Sequence, residues 1–146
     1  MGFRGTPTIV RSPPVPRCRA RWMRLGCGTS AIPSACGCCG KWIEHLEANG
    51  FDVDPVDVTD LPLVKSMAGI APEQASCHTA RVGDYVTEGH VPAGDIRRLL
   101  SEHPKARGVQ VPGKPQGSPG MEAPNPQPYK VLLIGEDSST SVFTEH

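Results

Sequence analysis

The sequence predicts a small α/β domain. The chain has 146 residues, the size of one ordinary domain that can bury a core without disulfide cross-links. Helical spacing of apolar residues alternates with short β-type runs, and Gly83-Asp84 marks a β-hairpin near the middle. Apolar runs stay well short of the roughly 18 residues that span a bilayer, which argues against a transmembrane protein.

The charges divide the chain into two segments. Fifteen basic and 15 acidic residues cancel, which argues against a dedicated nucleic-acid binder. Residues 1–35, however, carry six Arg and no acid, and their prolines interrupt any continuous element. They also lack the apolar block of about 7–15 residues that a secretory signal requires. We predict that 1–35 are disordered or an incorrectly assigned start, and that residues 36–146 form the domain.

The first helix is predicted by an apolar face spaced i, i+3, i+4 and i+7 over residues 39–46. Asn49-Gly50 ends this helix, because Gly readily adopts the left-handed conformation after a C-terminus. A strand-like run over 51–58 follows, and Pro55 within it indicates a sheet edge or a bend.

A short second helix is predicted to follow Asp60, which can cap its N-terminus, and to end at Gly69. The apolar residues of this helix are Leu63, Val64 and Met67. We expect Met67, from its spacing, to lie in the core. The hairpin then comprises strands over 79–82 and 85–88.

Pro92 and Asp95 mark the start of a third helix, which ends at His103-Pro104. Residues 104–128 hold seven Pro and four Gly, too many for a regular element, and predict a long loop. A C-terminal β-hairpin over 129–144 completes the chain.

The predicted order, helix–strand–helix–strand–strand–helix, is that of a thioredoxin-like domain that lacks its first strand. Such a strand belongs immediately before Cys36, where residues 28–35 offer only turn-forming residues. We therefore expect the first strand to be absent.

The cysteines are the candidate chemical groups. The six lie at positions 18, 27, 36, 38, 39 and 77. Three crowd into Cys36-Gly37-Cys38-Cys39 before the first helix, where free N–H groups and the helix dipole stabilise thiolates. A thiolate is both a nucleophile and a soft ligand for Cu(I), Zn(II) or iron–sulfur clusters. Cys36 and Cys39 lie one turn apart and can hold one centre, while Cys38 favours bridging several ions.

Four residues farther along the chain are further candidates. In a thioredoxin-like sheet the loop before the hairpin faces the N-terminus of the first helix, so Cys77 could complete a set of four sulfurs. His78, His90 and Met121 are additional candidate donors. The alternatives are a structural thiol at Cys77, a hydrogen-bonded His78, a loop or capping role for His90, and ordinary packing for Met121.

Five motifs resemble one known family. They are Cys36-Gly37-Cys38-Cys39-Gly40-Lys41-Trp42, Glu44-His45-Leu46, Ala75-Ser76-Cys77-His78-Thr79-Ala80, Glu88-Gly89-His90-Val91-Pro92 and Gly117-Ser118-Pro119-Gly120-Met121-Glu122. In this order they are similar to the CopG-type copper-resistance proteins, small bacterial metal-binding proteins with a thioredoxin-like fold. The resemblance extends from about Ala35 to Phe143.

The resemblance implies a periplasmic domain whose cysteines hold a copper cluster. Our leading hypothesis is a copper-resistance protein that sequesters Cu(I), with cycling of the copper oxidation state as a further hypothesis. The ligands carried over by match are Cys36, Cys38, Cys39 and Cys77, with His78, His90 and Met121 nearby. Copper ions, and other copper-homeostasis proteins, are the implied partners. Members of the family usually carry a signal peptide, which is not visible here; with the given start the protein would be cytoplasmic.

Two other functions remain open from the sequence. One is a thiol–disulfide oxidoreductase that uses Cys36 as nucleophile and Cys39 as resolving thiol. Cys38 would compete in that reaction, and no proline stands immediately before Cys77, where thioredoxins place a cis-Pro. The other is a structural zinc site in an interaction module. We predict a metal-binding protein rather than an enzyme, with no catalytic residue.

Overall fold

The computed structural model describes residues 27–32 and 37–146 and contains three α-helices and seven strands within them. In chain order these are β1 (Cys27–Ile32), α1 (Gly37–Ala48), β2 (Asp52–Asp57), α2 (Leu61–Met67), β3 (Thr79–Val82), β4 (Tyr85–Glu88), α3 (Ala93–Glu102), β5 (Gly108–Gln110), β6 (Lys130–Ile134) and β7 (Thr140–Glu145). None of the described helices is long and apolar enough to cross a membrane.

The strands form one mixed sheet in the order β2-β1-β3-β4-β5-β6-β7. The pairs β1–β2 and β4–β5 are parallel, and the other four pairs are antiparallel. The α/β class predicted from the sequence is therefore confirmed. The strand containing Pro55 lies at the sheet edge, where a residue without an N–H is tolerated.

The expectation that the first strand is absent is wrong. The backbone of β1 pairs with β2 on one side and β3 on the other. Its poor β propensity is outweighed by these two partners, since strand preference depends strongly on tertiary context. This strand lies inside the segment 1–35, on the N-terminal side of the predicted boundary at residue 36. The remaining predictions for that segment fall on residues outside the described part.

The Pro/Gly-rich segment 104–128 also contains an unpredicted strand. Residues Gly108–Gln110 pair with both β4 and β6. The hydrogen bonds from these two strands stabilise β5, and the local sequence does not predict them. The C-terminal hairpin that follows the segment lies where it was predicted, with β6 and β7 antiparallel.

Helix α2 buries a different face from the one predicted. Met67 is 78% exposed and Leu63 55%, whereas Lys65 is 7% exposed. The Lys65 ammonium group contacts Glu88 and Thr79 beneath the helix, so the charged side chain faces inward. Asp60 caps the helix as predicted, its carboxylate accepting a hydrogen bond from the Leu63 N–H at 3.0 Å.

The two faces of the sheet carry separate apolar clusters. The larger cluster joins α1 and α3 to the sheet, with Trp42, Leu46 and Ile96 at its centre. The smaller one consists of Ile70, Val86 and Ile134. Side chains alternate between the faces of a strand, so β3 and β4 contribute to both layers.

Two hydrogen bonds connect α1 to the start of α3. The Trp42 indole donates to the Val91 carbonyl at 2.8 Å, and the Ala93 N–H donates to His45 Nε2 at 3.1 Å. His45, which accepts this N–H, is half-buried. These contacts bring the segment containing His90 close to the first helix.

Candidate metal centre

Cysteines from two distant parts of the chain meet at the N-terminus of α1. The Sγ atoms of Cys38, Cys39 and Cys77 all lie within 4.8 Å of one another. Cys39 is fully buried, and the other two are half-buried. The structure thus brings Cys77 close to Cys38 and Cys39. Cys36, the other predicted ligand of this group, lies outside the described residues.

The sulfur of Cys39 is disulfide-bonded, so the structure describes an oxidised form of the centre. A disulfide sulfur carries no negative charge, whereas a metal ligand is a thiolate. Coordination by Cys39 therefore requires prior reduction. Cys77 is a free thiol.

Two histidines extend the group around Cys77. The Cys77 sulfur lies 3.0 Å from His90 Nε2 and 3.2 Å from His78 Nδ1. The donor atoms of these three residues also lie within 4.8 Å of one another. Cys77 thus belongs to both a sulfur group and a sulfur–imidazole group, and the two form one continuous set of possible ligands.

The tautomer of His90 is fixed by a backbone carbonyl. His90 Nδ1 lies 2.6 Å from the Pro119 carbonyl oxygen, which can only accept a hydrogen bond, so Nδ1 carries a proton and donates it. In the neutral ring this leaves a lone pair on Nε2, the atom facing Cys77. Metal-ligating histidines commonly donate their second nitrogen to a carbonyl or a carboxylate in this way.

His78 is completely buried against the indole of Trp42. The two ring centroids lie 4.4 Å apart, and the His90 ring meets His78 edge-on at 5.1 Å. Burial, reinforced by His90 and Lys65, lowers the pKa of His78 to about 3. Among the described residues, no hydrogen-bond partner reaches His78 Nε2. His78 is thus a neutral buried imidazole whose Nδ1, rather than the unpartnered Nε2, faces the Cys77 sulfur.

The thiol of Cys77 is harder to ionise than an ordinary cysteine. Burial is the main cause of its raised pKa, and the neighbouring Cys38 raises it further. The pKa of His90 is lowered, chiefly by burial. In the absence of metal the site thus favours its uncharged groups, and a bound cation would have to displace the Cys77 proton.

The loop around Gly120 packs against Cys38 and His90 of the candidate centre. Gly120 has φ +87°, and a Cβ there would lie 2.7 Å from the Cys38 carbonyl oxygen and 3.0 Å from His90 Nδ1. Only glycine combines this conformation with such a close approach. Met121, the next residue, is half-buried and lines a pocket of about 460 Å³ together with Cys38, Lys41 and Glu122.

Some contributors to the site were not predicted from the sequence. Trp42 lies on the apolar face predicted for the first helix, but its contact with His78 was not foreseen. The Pro119 carbonyl and the close approach of Gly120 were also missed. The only sequence signal for these contacts is the turn-forming run Ser118-Pro119-Gly120 that precedes Met121.

Fold and site together define a small α/β protein with a Cys/His cluster that could bind a metal ion. The family model described as a protein of unknown function, DUF411, matches residues 74–121, which contain Cys77, His78 and His90. No curated protein matches the chain.

Two solved structures are similar to the chain over most of its length. They are described as copper resistance protein CopG, form 1 and form 2. Each is 40% identical, covers 84% of this chain with a TM-score of 0.79, and is itself covered to 99% (form 2) or 98% (form 1). The chain therefore belongs to the CopG family of copper resistance proteins.

Proposed function

We propose that the protein sequesters Cu(I) as part of copper resistance. The observation that carries the proposal is the meeting of Cys38, Cys39 and Cys77 within 4.8 Å, with the imidazoles of His78 and His90 adjoining Cys77. Thiolates are soft ligands that favour Cu(I), and imidazole also suits copper. The similarity to proteins described as copper resistance proteins supports the same assignment.

The proposed ligands are the reduced sulfurs of Cys38, Cys39 and Cys77, together with Cys36 from the same sequence run. His78 and His90 are additional donors on the sheet side, and Met121 is a thioether at the pocket. A set of this size on one centre favours several copper ions that share sulfurs.

The fold proposed for this function is thioredoxin-like. The arrangement of its core supports this: strands β2-β1-β3-β4 with β1 and β2 parallel, and the cysteines at the start of the helix after β1. In such a domain a Cys pair at this position can change between dithiol and disulfide. We include cycling of the copper oxidation state in the proposal: oxidation of the dithiol to a disulfide supplies two electrons, which reduce two Cu(II) ions to two Cu(I) ions with release of two protons, and the reverse reaction restores both. We also propose a periplasmic location, with other copper-homeostasis proteins as partners.

Anaerobic copper titration tests this function. The reduced protein is titrated with Cu(I) in competition with a chromophoric Cu(I) chelator, and Cys77→Ser and His90→Asn are compared with wild type. His103→Asn is the matched control, because His103 is exposed and has a left-handed φ of 52° that Asn tolerates. We expect more than one Cu(I) per chain, at least about tenfold weaker binding for Cys77→Ser, and no change for the control.

If the purified protein contains one zinc ion per chain and cannot take Cu(I) from the chelator, the site is a structural zinc module instead. Equal Cu(I) affinity in wild type and Cys77→Ser would contradict the proposed ligand set. The first result would make the copper function wrong, and the second would make the assignment of Cys77 as a ligand wrong.

A thiol–disulfide oxidoreductase is the second candidate, and the disulfide at Cys39 favours it. In this reaction a thiolate attacks a substrate disulfide and a second thiol resolves the mixed disulfide. Catalysed reduction of insulin by dithiothreitol that is abolished in Cys36→Ser and unaffected by a copper chelator would support this candidate. Absence of catalysis in wild-type protein would exclude it for this substrate.

A further inference from the structure

A buried carboxylate lies behind the candidate metal centre, on the opposite face of the sheet. Glu88 ends β4 and has no exposed surface. It pairs directly with Thr79 across β3 and β4, and both side chains point toward α2 because Ala80 and Val82, the alternate residues of β3, face α1 and α3. Glu88 therefore does not itself face the cysteines.

The carboxylate of Glu88 binds both ends of the segment that carries the ligands. Its Oε1 accepts a hydrogen bond from the Ser76 N–H at 2.8 Å, and its Oε2 accepts one from the Thr79 hydroxyl at 2.6 Å. Ser76 and Thr79 are the residues immediately before and after Cys77-His78. One side chain thus fixes the position of both candidate donors.

Glu88 also lies at the end of β4 that leads to His90. Glu88 is two residues before His90, and the intervening Gly89 donates its N–H to the His78 carbonyl at 3.0 Å. Gly89 has φ +75°, and a Cβ there would lie 2.7 Å from the Ser76 hydroxyl oxygen. The two ligand-bearing segments are therefore packed at backbone contact, with the Glu88 carboxylate as the polar link between them.

Lys65 balances the charge of this carboxylate. Its ammonium group contacts Glu88 Oε1 and donates to the Thr79 hydroxyl at 3.0 Å. A buried ion pair often adds little stability over an apolar pair of similar volume, because both charges lose their hydration. A role in fixing local geometry explains the presence of this pair better than a gain in stability does.

We propose that Glu88, held by Lys65, is a positioning residue that sets the distance and orientation of Cys77 and His78 relative to His90. This inference rests on the proposed metal-binding function of these three residues. It assigns no direct contact with the metal to Glu88 or Lys65. It predicts that the hydrogen bonds of residue 88, rather than its charge, control the quality of the site.

Two double variants with the same charge balance separate these effects. In Lys65→Met/Glu88→Gln, the amide oxygen can still accept the Ser76 N–H and the amide nitrogen can donate to Thr79. In Lys65→Met/Glu88→Leu, both hydrogen bonds are lost. The matched control is Lys130→Met/Glu145→Gln, which removes an ion pair with 59% and 65% exposed side chains on the last two strands.

Each reduced protein is titrated with Cu(I) alone against a chromophoric chelator, and its thiolate-to-copper absorption band and urea midpoint are recorded. We expect the Gln variant to stay within about threefold of wild type and the Leu variant to bind about 10–100-fold more weakly, the range seen when outer-shell partners of metal ligands are removed. The absorption band should shift in the Leu variant only. Equal affinity and an unchanged band in the Leu variant would overturn the proposal.

Thr79→Val keeps the test decisive if the Leu variant does not fold. It removes one hydrogen bond to Glu88 and should weaken Cu(I) binding several-fold, with Thr79→Ser restoring it. No effect of Thr79→Val would count against the proposal.

Failure of the proposed function is recognised separately, by a wild-type protein that does not bind Cu(I). The positioning role is then read from the rate at which an alkylating reagent modifies the Cys77 thiol, followed by peptide mass spectrometry. A rate changed in the Leu variant and unchanged in the Gln variant supports positioning, and equal rates in all variants refute it.

Discussion

Lowering the pH of the metal-free protein from 7 to 4.5 should destabilise it through His78. In the folded state this imidazole is fully buried, and its pKa is lowered from 6.5 to about 3, first by burial and then by electrostatic interaction with His90 and Lys65. The unfolded chain binds a proton at His78 below pH 6.5, whereas the folded protein does not until about pH 3. Stability from this group is therefore complete above pH 6.5 and falls as the pH decreases toward 3.

The size of the effect follows from proton linkage. Each pH unit between the two pKa values changes the free energy of unfolding by about 1.4 kcal/mol for one proton. Because pH 4.5 lies two units below 6.5, His78 lowers the free energy of unfolding at pH 4.5 by about 2.7 kcal/mol. This is a large part of the roughly 5–15 kcal/mol that stabilises a typical domain.

Urea denaturation at the two pH values measures this loss. His78→Phe is the test variant, because it keeps a ring against Trp42 but cannot bind a proton, and the other buried histidines are common to both proteins. We expect wild type to lose about 2.7 kcal/mol more than His78→Phe between pH 7 and pH 4.5. Losses equal within about 0.5 kcal/mol would refute the argument that His78 is buried in its neutral form.

Three other substitutions test separate features of the structure. Gly120→Ala should lower the free energy of unfolding by about 1–3 kcal/mol and weaken Cu(I) binding, because the new Cβ would crowd His90 at a φ of +87°; wild-type behaviour in both urea denaturation and copper titration would contradict this. Asp60→Ala should cost about 1 kcal/mol in urea denaturation through loss of the α2 cap, and an unchanged midpoint would show that the cap does not matter. Met67→Gln should change stability by less than about 0.5 kcal/mol, since Met67 is 78% exposed; a larger loss would place it in the core, as its spacing first suggested.

The elements that could be predicted are those whose sequence pattern is local. Helix α1 has its apolar face and its terminal Gly50 within one segment, and the β3–β4 hairpin is specified by the two residues between its strands. The structure places both where they were expected. Their sequence signals lie within a few neighbouring residues, although α1 also packs its apolar face on the sheet.

Strands β1 and β5 could not be predicted because their pairing is long-range. Each lies between two other strands, and the hydrogen bonds come from partners that are remote in the chain or separated by a helix. Likewise, the burial of Lys65 depends on Glu88, 23 residues away. The spacing of apolar residues in α2 alone predicts that the opposite face, which carries Met67, is buried.

The candidate site was predictable in composition but not in its supporting contacts. The cysteine run before α1 and the following Cys77-His78 could be recognised because the chemistry of sulfur and imidazole is specific. The carbonyl of Pro119 and the carboxylate of Glu88 act through tertiary hydrogen bonds, and neither residue type indicates such a role.

X-ray absorption at the copper edge of the Cu(I)-loaded, anaerobically reduced protein tests the central claim most directly. We predict a first shell dominated by sulfur in wild type, with fewer sulfur scatterers in Cys77→Ser and no change in His103→Asn. A first shell of oxygen and nitrogen alone, or an identical spectrum for Cys77→Ser, would contradict the assignment of copper to these cysteines.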